Sequence, residues 1–342
     1  MTVFPIPRMP RIFRRIAHRA WRIALRRYGW FALGVAVATN AYVHFPASRR
    51  EGGPAHRMVC AVGNATADIT DALGWTGRDV TTPAVPFDEP GLPRPRPGGR
   101  APGDIKILER TGYTAGYSPA LRHPAWVAYK TFPYDIPRTP PEIRPKGFLQ
   151  DKEAPRSPKT SEYVRSGYDR GHMAPNRAIA VRYGKAAQEE TFLLSNICPQ
   201  RASLNRGAWY EMEYRLSEVW PFLHGGTNWI VVGAVSGKGK KQPPKGKIEV
   251  PDAFYQVVLS KGGDGRLRAM AVLMPQTLSL HAYARSCLVS VRELEELTGL
   301  DFFSGLPDDT QEALESETPS RLWPTGVRGL FKVLPLRYHR WH

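Results

Sequence analysis

Cysteine is scarce in this 342-residue sequence, and the three cysteines form no motif that holds a metal or a redox pair. Cys60, Cys198 and Cys287 lie far apart, and CxxC does not occur. The spacing therefore fits neither a cysteine-ligated zinc site nor CxxC redox chemistry. An odd count leaves at least one thiol unpaired in a monomer. We favour burial of the cysteines as small apolar side chains over a single disulfide.

Aspartate, glutamate and lysine are absent from the first 50 residues, which contain ten arginines. Residues 8–28 are predicted to form a basic amphipathic helix, and an apolar run from Trp30 to Ala38 follows and ends in Ala-Val-Ala. This order is typical of a targeting segment. We predict that residues 1–45 are a targeting segment or membrane anchor, and that the protein is exported: periplasmic, extracellular or membrane-anchored. A mitochondrial transit peptide is the alternative, because the segment is arginine-rich and lacks acids.

The rest of the chain is only moderately basic. It holds 38 basic and 31 acidic residues, a net charge of +7. Such a charge suits a polyanionic partner such as nucleic acid, although a soluble basic protein without that partner carries it too. Charge alone therefore does not decide the function.

Residues 105–320 are predicted to form one domain with a mixed pattern of strands and helices. The predicted strands are Trp126–Phe132, Thr191–Cys198, Trp229–Val235, Ala253–Ser260 and Arg268–Met274, and the predicted helices are Arg206–Leu223 and Val291–Leu297. The second helix follows Ser290, with Glu293 at capping-box spacing. Strands and helices do not alternate strictly, so an α+β fold is favoured over a parallel doubly wound sheet.

Three segments fall outside this pattern. Residues 46–104 contain clusters of Gly and Pro that end in GLPRPRPGGRAPGD, and we predict a linker that is poorly ordered over much of its length. Lys238–Lys247 is predicted to be a solvated loop that interrupts the domain. Residues 321–342 combine basic and aromatic side chains, which fits either an interaction segment or a packed terminus.

The sequence Asp169-Arg170-Gly171-His172 contains the groups that phosphodiester hydrolysis requires. The reaction needs a base that activates water, and histidine titrates near neutral pH. It also needs positive donors for the charge that develops on phosphorus, and Arg170 supplies one. Gly171 lets the backbone approach a neighbour closely. A lone histidine is more often a packed or surface residue, so this stretch needs support from elsewhere in the chain.

Asn205 and Glu213 supply that support on the predicted helix. In a straight helix they lie about 12 Å apart along the axis and about 80° apart around it. The glutamate side chain leans towards the N-terminus and narrows this gap. Asn205 then holds a metal and Glu213 reaches one of its waters, an arrangement that magnesium tolerates. An N-cap role for Asn205 with a solvated Glu213 is the simpler alternative, and both roles of Asn205 are compatible.

The ordered motifs resemble the DNA/RNA non-specific endonucleases over roughly residues 105–305. The resemblance rests on Tyr168–Pro175, Ser195-Asn196, Pro199-Gln200, Leu204-Asn205, Trp209 and Glu213, and on Gly112-Tyr113 and Pro124–Val127 for the opening strands. It implies a ββα-metal nuclease fold of the α+β class, with a central antiparallel sheet flanked by helices.

The resemblance also implies a role for each site residue. His172 is the general base, Asn205 is the sole protein ligand of Mg²⁺ (with Mn²⁺ as a substitute) and Glu213 contacts the waters of the metal. Asn196 helps to position the substrate, Arg170 follows the motif and Asp169 orients the loop of the motif. Arg144 is the best-placed upstream arginine, with Arg138 and Arg156 as competitors. Cys198 departs from the small polar or β-branched residue expected there, and we expect it to stay clear of the chemistry.

The predicted function is therefore metal-dependent, sequence-nonspecific endonuclease activity on DNA and RNA. Two alternatives stay open: a phosphodiesterase of the same fold that acts on small molecules, and a membrane-tethered nucleic-acid-binding protein without activity. The presence of every residue needed for catalysis argues against the second. Membrane association through the N-terminal segment and a homodimer are further alternatives.

Overall fold

An antiparallel sheet forms the centre of the fold in a computed structural model that describes residues 77–84, 89–97, 103–135, 144–224, 226–237, 248–280 and 282–325. These residues belong to one unit, Asp68–His342. The predicted targeting segment and the Lys238–Lys247 loop lie outside the described residues. No helix within the described ranges has both the length and the apolar character needed to cross a membrane.

The sheet has the strand order β1-β10-β9-β8-β5-β4-β3, and β11 pairs with β10. Its strands are β1 (Val80–Ala84), β3 (Lys106–Glu109), β4 (Tyr113–Ser118), β5 (His123–Thr131), β8 (Thr227–Val235), β9 (Ala253–Lys261), β10 (Arg266–Pro275) and β11 (Leu288–Val289). Two small antiparallel pairs lie apart from it: β2 (Arg94–Pro95) with β12 (Leu300–Asp301), and β6 (Asp169–His172) with β7 (Ile197–Gln200).

Helices cover both faces of the sheet. The helices are α1 (Thr160–Tyr163), α2 (Asn176–Glu190), α3 (residues 202–224), α4 (Val291–Thr298) and α5 (Asp308–Glu315). Tyr255, Val257 and Leu259 of β9 belong to the core cluster shared with α4 and α5. Phe254, which alternates with them, meets Trp209 of α3 at a ring-centroid distance of 5.7 Å. Successive strand residues point to opposite faces of the sheet. Strand β9 is buried along almost its whole length because both faces of the sheet are covered.

Helix α3 is not a regular α-helix. It contains π-turns at Asn205–Trp209 and Arg215–Val219, and Gly207 departs from helical geometry at φ −97° and ψ −124°. A π-turn links residues i and i+5, so the spacing expected for a straight helix does not hold along its length.

The antiparallel pair of β6 and β7 positions the histidine of the motif. Gly171 faces Cys198 across the pair, and a Cβ at Gly171 would lie 1.9 Å from Oε1 of the fully buried Gln200. The close approach expected for this glycine is therefore present. Cys198 and Cys287 are both buried thiols, as predicted, and Cys60 lies outside the described residues.

Most predicted strands and both predicted helices are confirmed, including the capping box of Ser290 and Glu293. The strand predicted at Thr191–Cys198 was wrong in its first part, because a 3₁₀ turn at Leu194–Asn196 precedes β7. Helix α2 was not predicted. Its buried residues are mostly alanines, so the apolar periodicity that signals a helix is weak.

Part of the predicted linker, residues 46–104, belongs to the main sheet, and most of the rest lies outside the described residues. Val80–Ala84 pairs with β10 at the edge of the main sheet, with Val80 and Thr82 buried. Pro83 is tolerated there because an edge strand has one side without ladder hydrogen bonds. At the other end, Trp323 packs against Trp220 with ring centroids 5.1 Å apart, so residues 321–325 are packed rather than an extended tail.

Candidate active site

A cleft of about 650 Å³ lies between the end of β6, the start of α2 and one face of α3. The residues that line it are Arg144, Arg170, His172, Pro175, Asn176, Arg177, Ala178, Asn205, Arg206, Tyr210, Glu213, Tyr214, Ser217 and Glu218. The structure therefore brings together five of the predicted site residues, which come from three separate parts of the chain. Asn196 and Asp169 do not line the cleft.

His172 is the last residue of β6 and is half-buried. Its ring packs against Phe148 and Phe192, with centroid distances of 5.3 Å and 5.0 Å. Its Nε2 has no hydrogen-bond partner among the described residues. Burial, assisted by the positive charge of Arg144, lowers the pKa of His172 to about 3. The imidazole is therefore neutral near pH 7, which is the state that accepts a proton.

Two exposed arginines flank the histidine. The Arg170 guanidinium lies 4.8 Å from the ring centroid of Phe148, and that of Arg144 lies 5.3 Å from the ring centroid of Phe192. The same aromatic pair thus packs His172 and holds both cations at the cleft. Of the competing upstream arginines, Arg156 does not line the cleft and Arg138 lies outside the described residues.

Asp169 fixes the orientation of Asn205. Its Oδ2 accepts a hydrogen bond from Asn205 Nδ2 at 3.0 Å, and both carboxylate oxygens accept from Arg206 at 2.9 Å and 2.8 Å. Because Nδ2 is held by the carboxylate, Oδ1 is the amide atom left to bind a ligand. The role of Asp169 in orienting the loop of the motif stays a prediction, and the hydrogen bonds of its side chain connect that motif to α3.

Glu213 is a half-buried carboxylic acid without a cationic partner among the described residues. Its Oε1 accepts a hydrogen bond from Trp209 Nε1 at 3.0 Å. Burial raises the pKa of Glu213 to about 8, and the hydrogen bond from Trp209 offsets part of this increase. A divalent cation would offset this desolvation. The amide oxygen of Asn205 and this carboxylate form an all-oxygen donor set, which fits a hard cation such as Mg²⁺.

Asn196 does not line the cleft, and its role in positioning the substrate stays a prediction. It is fully buried. Its Nδ2 donates to the carbonyl oxygens of Ala174 and Thr191, and its Oδ1 accepts from the Ala174 N–H at 2.8 Å. Every polar atom of its side chain is satisfied by backbone. Asn196 therefore clamps the segment that follows His172.

Several cleft residues were missed by the sequence analysis. On α3 these are Arg206, Tyr210, Tyr214, Ser217 and Glu218. Four of them recur every four residues and Ser217 follows Tyr214 by three, which is the signal of a common helical face. Arg177 also lines the cleft, and its Nε donates to Glu218 at 3.1 Å. No local pattern marks Arg177, because its helix was not predicted.

Comparisons with known proteins agree with this geometry. A model of the DNA/RNA non-specific endonuclease family matches residues 93–309. A nuclease from Nostoc sp. is 32% identical over 227 residues, which cover 63% of this chain and 79% of the relative. Mitochondrial endonuclease G from Homo sapiens is 26% identical over 216 residues, which cover 59% and 70%. The crystal structure of the EndoG/EndoGI complex aligns with a TM-score of 0.51 and 26% identity, covering 61% of this chain and 90% of that one.

An antiparallel strand pair that carries His172, beside a helix that carries Asn205 and Glu213, defines the class of ββα-metal nucleases. The chain belongs to the DNA/RNA non-specific endonuclease family, whose model matches more than half of its length. The predicted family, fold class and nuclease activity on DNA and RNA are confirmed.

Proposed function

We propose that this nuclease is Mg²⁺-dependent and cuts DNA and RNA by activating water with His172, while Asn205 holds the metal. The supporting observation is the cleft itself. It joins a neutral histidine, whose Nε2 lacks a partner among the described residues, to the oxygen donors of Asn205 and Glu213 and to the guanidinium groups of Arg144 and Arg170. Mn²⁺ is expected to substitute for Mg²⁺.

The residues of this chain divide the chemical work. His172 accepts the proton of the attacking water, and the packing of Phe148 and Phe192 keeps its ring in place. Arg170 and Arg144 stabilise the negative charge that develops on the phosphoryl oxygens. Asp169 accepts a hydrogen bond from Asn205 Nδ2, which leaves the amide oxygen of Asn205 pointing away from the carboxylate. When bound, Mg²⁺ supplies a Lewis acid and a template for the phosphate.

The matched test compares His172→Ala with Asn205→Ala in the full chain across a magnesium titration. Loss of the base is expected to lower the cleavage rate about 10²–10⁴-fold at every magnesium concentration. Loss of the metal ligand is expected to be partly rescued at high magnesium. Because both lesions act on one step, the double variant should be little slower than the poorer single variant. His172→Ala should still bind nucleic acid, since the arginines remain.

Two results contradict this assignment. Activity that survives saturating EDTA would remove the metal from the mechanism. A His172→Ala variant that keeps about a tenth or more of the wild-type rate would show that His172 is not the base, and Glu213 would be the next candidate. Both variants should keep the native circular dichroism spectrum.

We also infer that residues 1–45 direct the protein out of the cytosol, because a nuclease without sequence preference endangers the genome beside it. The relatives named above include mitochondrial and bacterial nucleases. Cell fractionation should place the protein in an exported, membrane or mitochondrial fraction. Recovery of the intact chain from the soluble cytosol would contradict the inference.

A further inference from the structure

Two tyrosines share the cleft with the catalytic groups. Tyr210 and Tyr214 lie one turn apart on α3, and both line the cleft that contains His172 and Asn205. The Tyr210 side chain is 44% exposed, although large aromatic side chains are usually covered. Tyr214 is half-buried. Residues four apart on a helix are neighbours, so the two rings lie on the same face of α3. The proposed mechanism does not use either ring.

The π-turn at Asn205–Trp209 explains why this surface faces the active site. In a straight α-helix, residue i+5 points about 140° away from residue i, so Tyr210 would face away from Asn205. The hydrogen bonds of a π-turn link residues i and i+5 and bring them towards the same side. Asn205 and Tyr210 accordingly line the same cleft.

Two exposed arginines border the tyrosines. The Arg206 side chain is 69% exposed and bonds to Asp169 through Nε and Nη2. The Arg177 side chain is 59% exposed and bonds to Glu218 through the same two nitrogens. In both residues the carboxylate holds the guanidinium through Nε and Nη2, while most of the side chain is exposed to solvent at the cleft. Arginines of this kind bind phosphate oxygens in fixed geometry.

We propose that Tyr210 and Tyr214 stack against an unpaired base next to the scissile phosphate, while Arg177 and Arg206 hold the adjoining phosphates, so that the enzyme prefers single-stranded nucleic acid. The proposal rests on the proposed function of the same cleft. Aromatic rings combined with arginines are the usual means of binding single strands without sequence preference, because every base has a π-face.

The size of the cleft supports this preference. A volume of about 650 Å³ is that of a site for a drug-sized ligand, which corresponds to a short stretch of one strand. The bases of a duplex are stacked on one another and paired. Presenting one of them to Tyr210 requires it to be unstacked and unpaired, a free-energy cost that is smaller for a base that is already single-stranded.

The test compares Tyr210→Leu/Tyr214→Leu with Tyr210→Phe/Tyr214→Phe in the full chain. Cleavage is measured on one DNA sequence as a single strand and as a duplex. Binding of a fluorescent oligo-dT strand and of a duplex is measured in the His172→Ala background with EDTA. The leucine variant should lose about tenfold or more in single-strand affinity and cleavage, as expected for lost base stacking, and change little on duplex. The phenylalanine variant should keep the wild-type preference, because its rings still stack.

Leu223→Ala is the matched control, since Leu223 is 43% exposed on the same helix but does not line the cleft. Equal losses on single strand and duplex, or no loss on single strand, would overturn the proposed stacking by Tyr210 and Tyr214 while leaving the nuclease function intact. If no variant cleaves any substrate, the proposed function fails, and the binding of oligo-dT still decides whether the two tyrosines stack against bases. Tyr210→Leu alone keeps the test decisive if the double leucine variant does not fold.

Discussion

At the residue scale, one physical cause prepares two groups for opposite roles. Burial favours the neutral form of every ionisable group. It therefore lowers the pKa of His172 to about 3 and raises that of Glu213 to about 8. Without a cation, both groups are uncharged near pH 7. The histidine is then already in its reactive form, whereas the glutamic acid must lose a proton before it stabilises a metal.

We predict that protons compete with magnesium at Glu213. Below about pH 8 the apparent magnesium affinity should weaken as the pH falls, by up to about tenfold per unit if one proton is displaced. His172 should not limit the rate in this range, because it stays unprotonated far below neutral pH. The measurement is the magnesium midpoint of cleavage at several values between about pH 6 and 9.

Glu213→Gln is the control for this prediction, since it keeps the shape of the side chain and removes the titration. Its magnesium midpoint should be weaker than wild type and nearly independent of pH. If the wild-type midpoint stays constant across the range, or if the glutamine variant keeps the same pH dependence, Glu213 is not the titrating group.

At the scale of elements, the loop after β6 is held by a single buried amide. Asn196 makes three side-chain hydrogen bonds to backbone groups of Ala174 and Thr191, and its own carbonyl accepts from the Met173 N–H at 3.0 Å. The clamp fixes the chain immediately after His172 and before α2, which carries Arg177 into the cleft. A buried residue outside the cleft thus contributes to the geometry of both elements.

Asn196→Ala should destabilise the protein by about 2–4 kcal/mol, because it leaves three buried backbone groups without partners. Asn196→Asp should also destabilise, since its carboxylate would face the carbonyl oxygens of Ala174 and Thr191. Urea unfolding of each variant measures the effect, with nucleic-acid affinity measured well below the transition.

Asn228→Ala is the comparison, because Asn228 is as deeply buried as Asn196, yet within the described residues its side chain makes a single hydrogen bond, from Nδ2 to Thr131 Oγ1 at 3.2 Å. Asn228→Ala should therefore lower the free energy of unfolding by less than Asn196→Ala. A large loss of affinity in folded Asn196→Ala, with unchanged stability, would instead support the substrate-positioning role.

At the scale of the whole molecule, positive charge is concentrated where nucleic acid would bind. The net charge beyond residue 50 is only +7, yet four arginines line one cleft: Arg144, Arg170, Arg177 and Arg206. Contacts between arginine and phosphate release counterions, so binding should respond strongly to salt.

We predict that the affinity of His172→Ala for oligo-dT falls by about tenfold or more between about 50 and 200 mM salt, as expected for a few phosphate contacts. Arg177→Gln should reduce the slope of log affinity against log salt by about one contact. Arg292→Gln, which removes an arginine paired with Glu312 outside the cleft, should leave the slope unchanged. A flat salt response would favour the small-molecule phosphodiesterase.

The sequence by itself determined those features that depend on neighbours along the chain. Short runs of strand-forming, mostly apolar residues predicted the strands β5, β8, β9 and β10, and the spacing of Ser290 and Glu293 predicted the start of α4. The ordered motif from Asp169 to Glu213 was sufficient to predict the family, because its residues are close in sequence and chemically specific.

Tertiary structure decided which of these residues meet. The choice of Arg144 over Arg156 depends on packing against Phe192, almost 50 residues away. The hydrogen bonds of Asn196 to Ala174 and of Asn205 to Asp169 connect separate elements, so no local pattern encodes them. In a straight helix Tyr210 would face away from Asn205, whereas the π-turn in α3 brings both residues to the cleft.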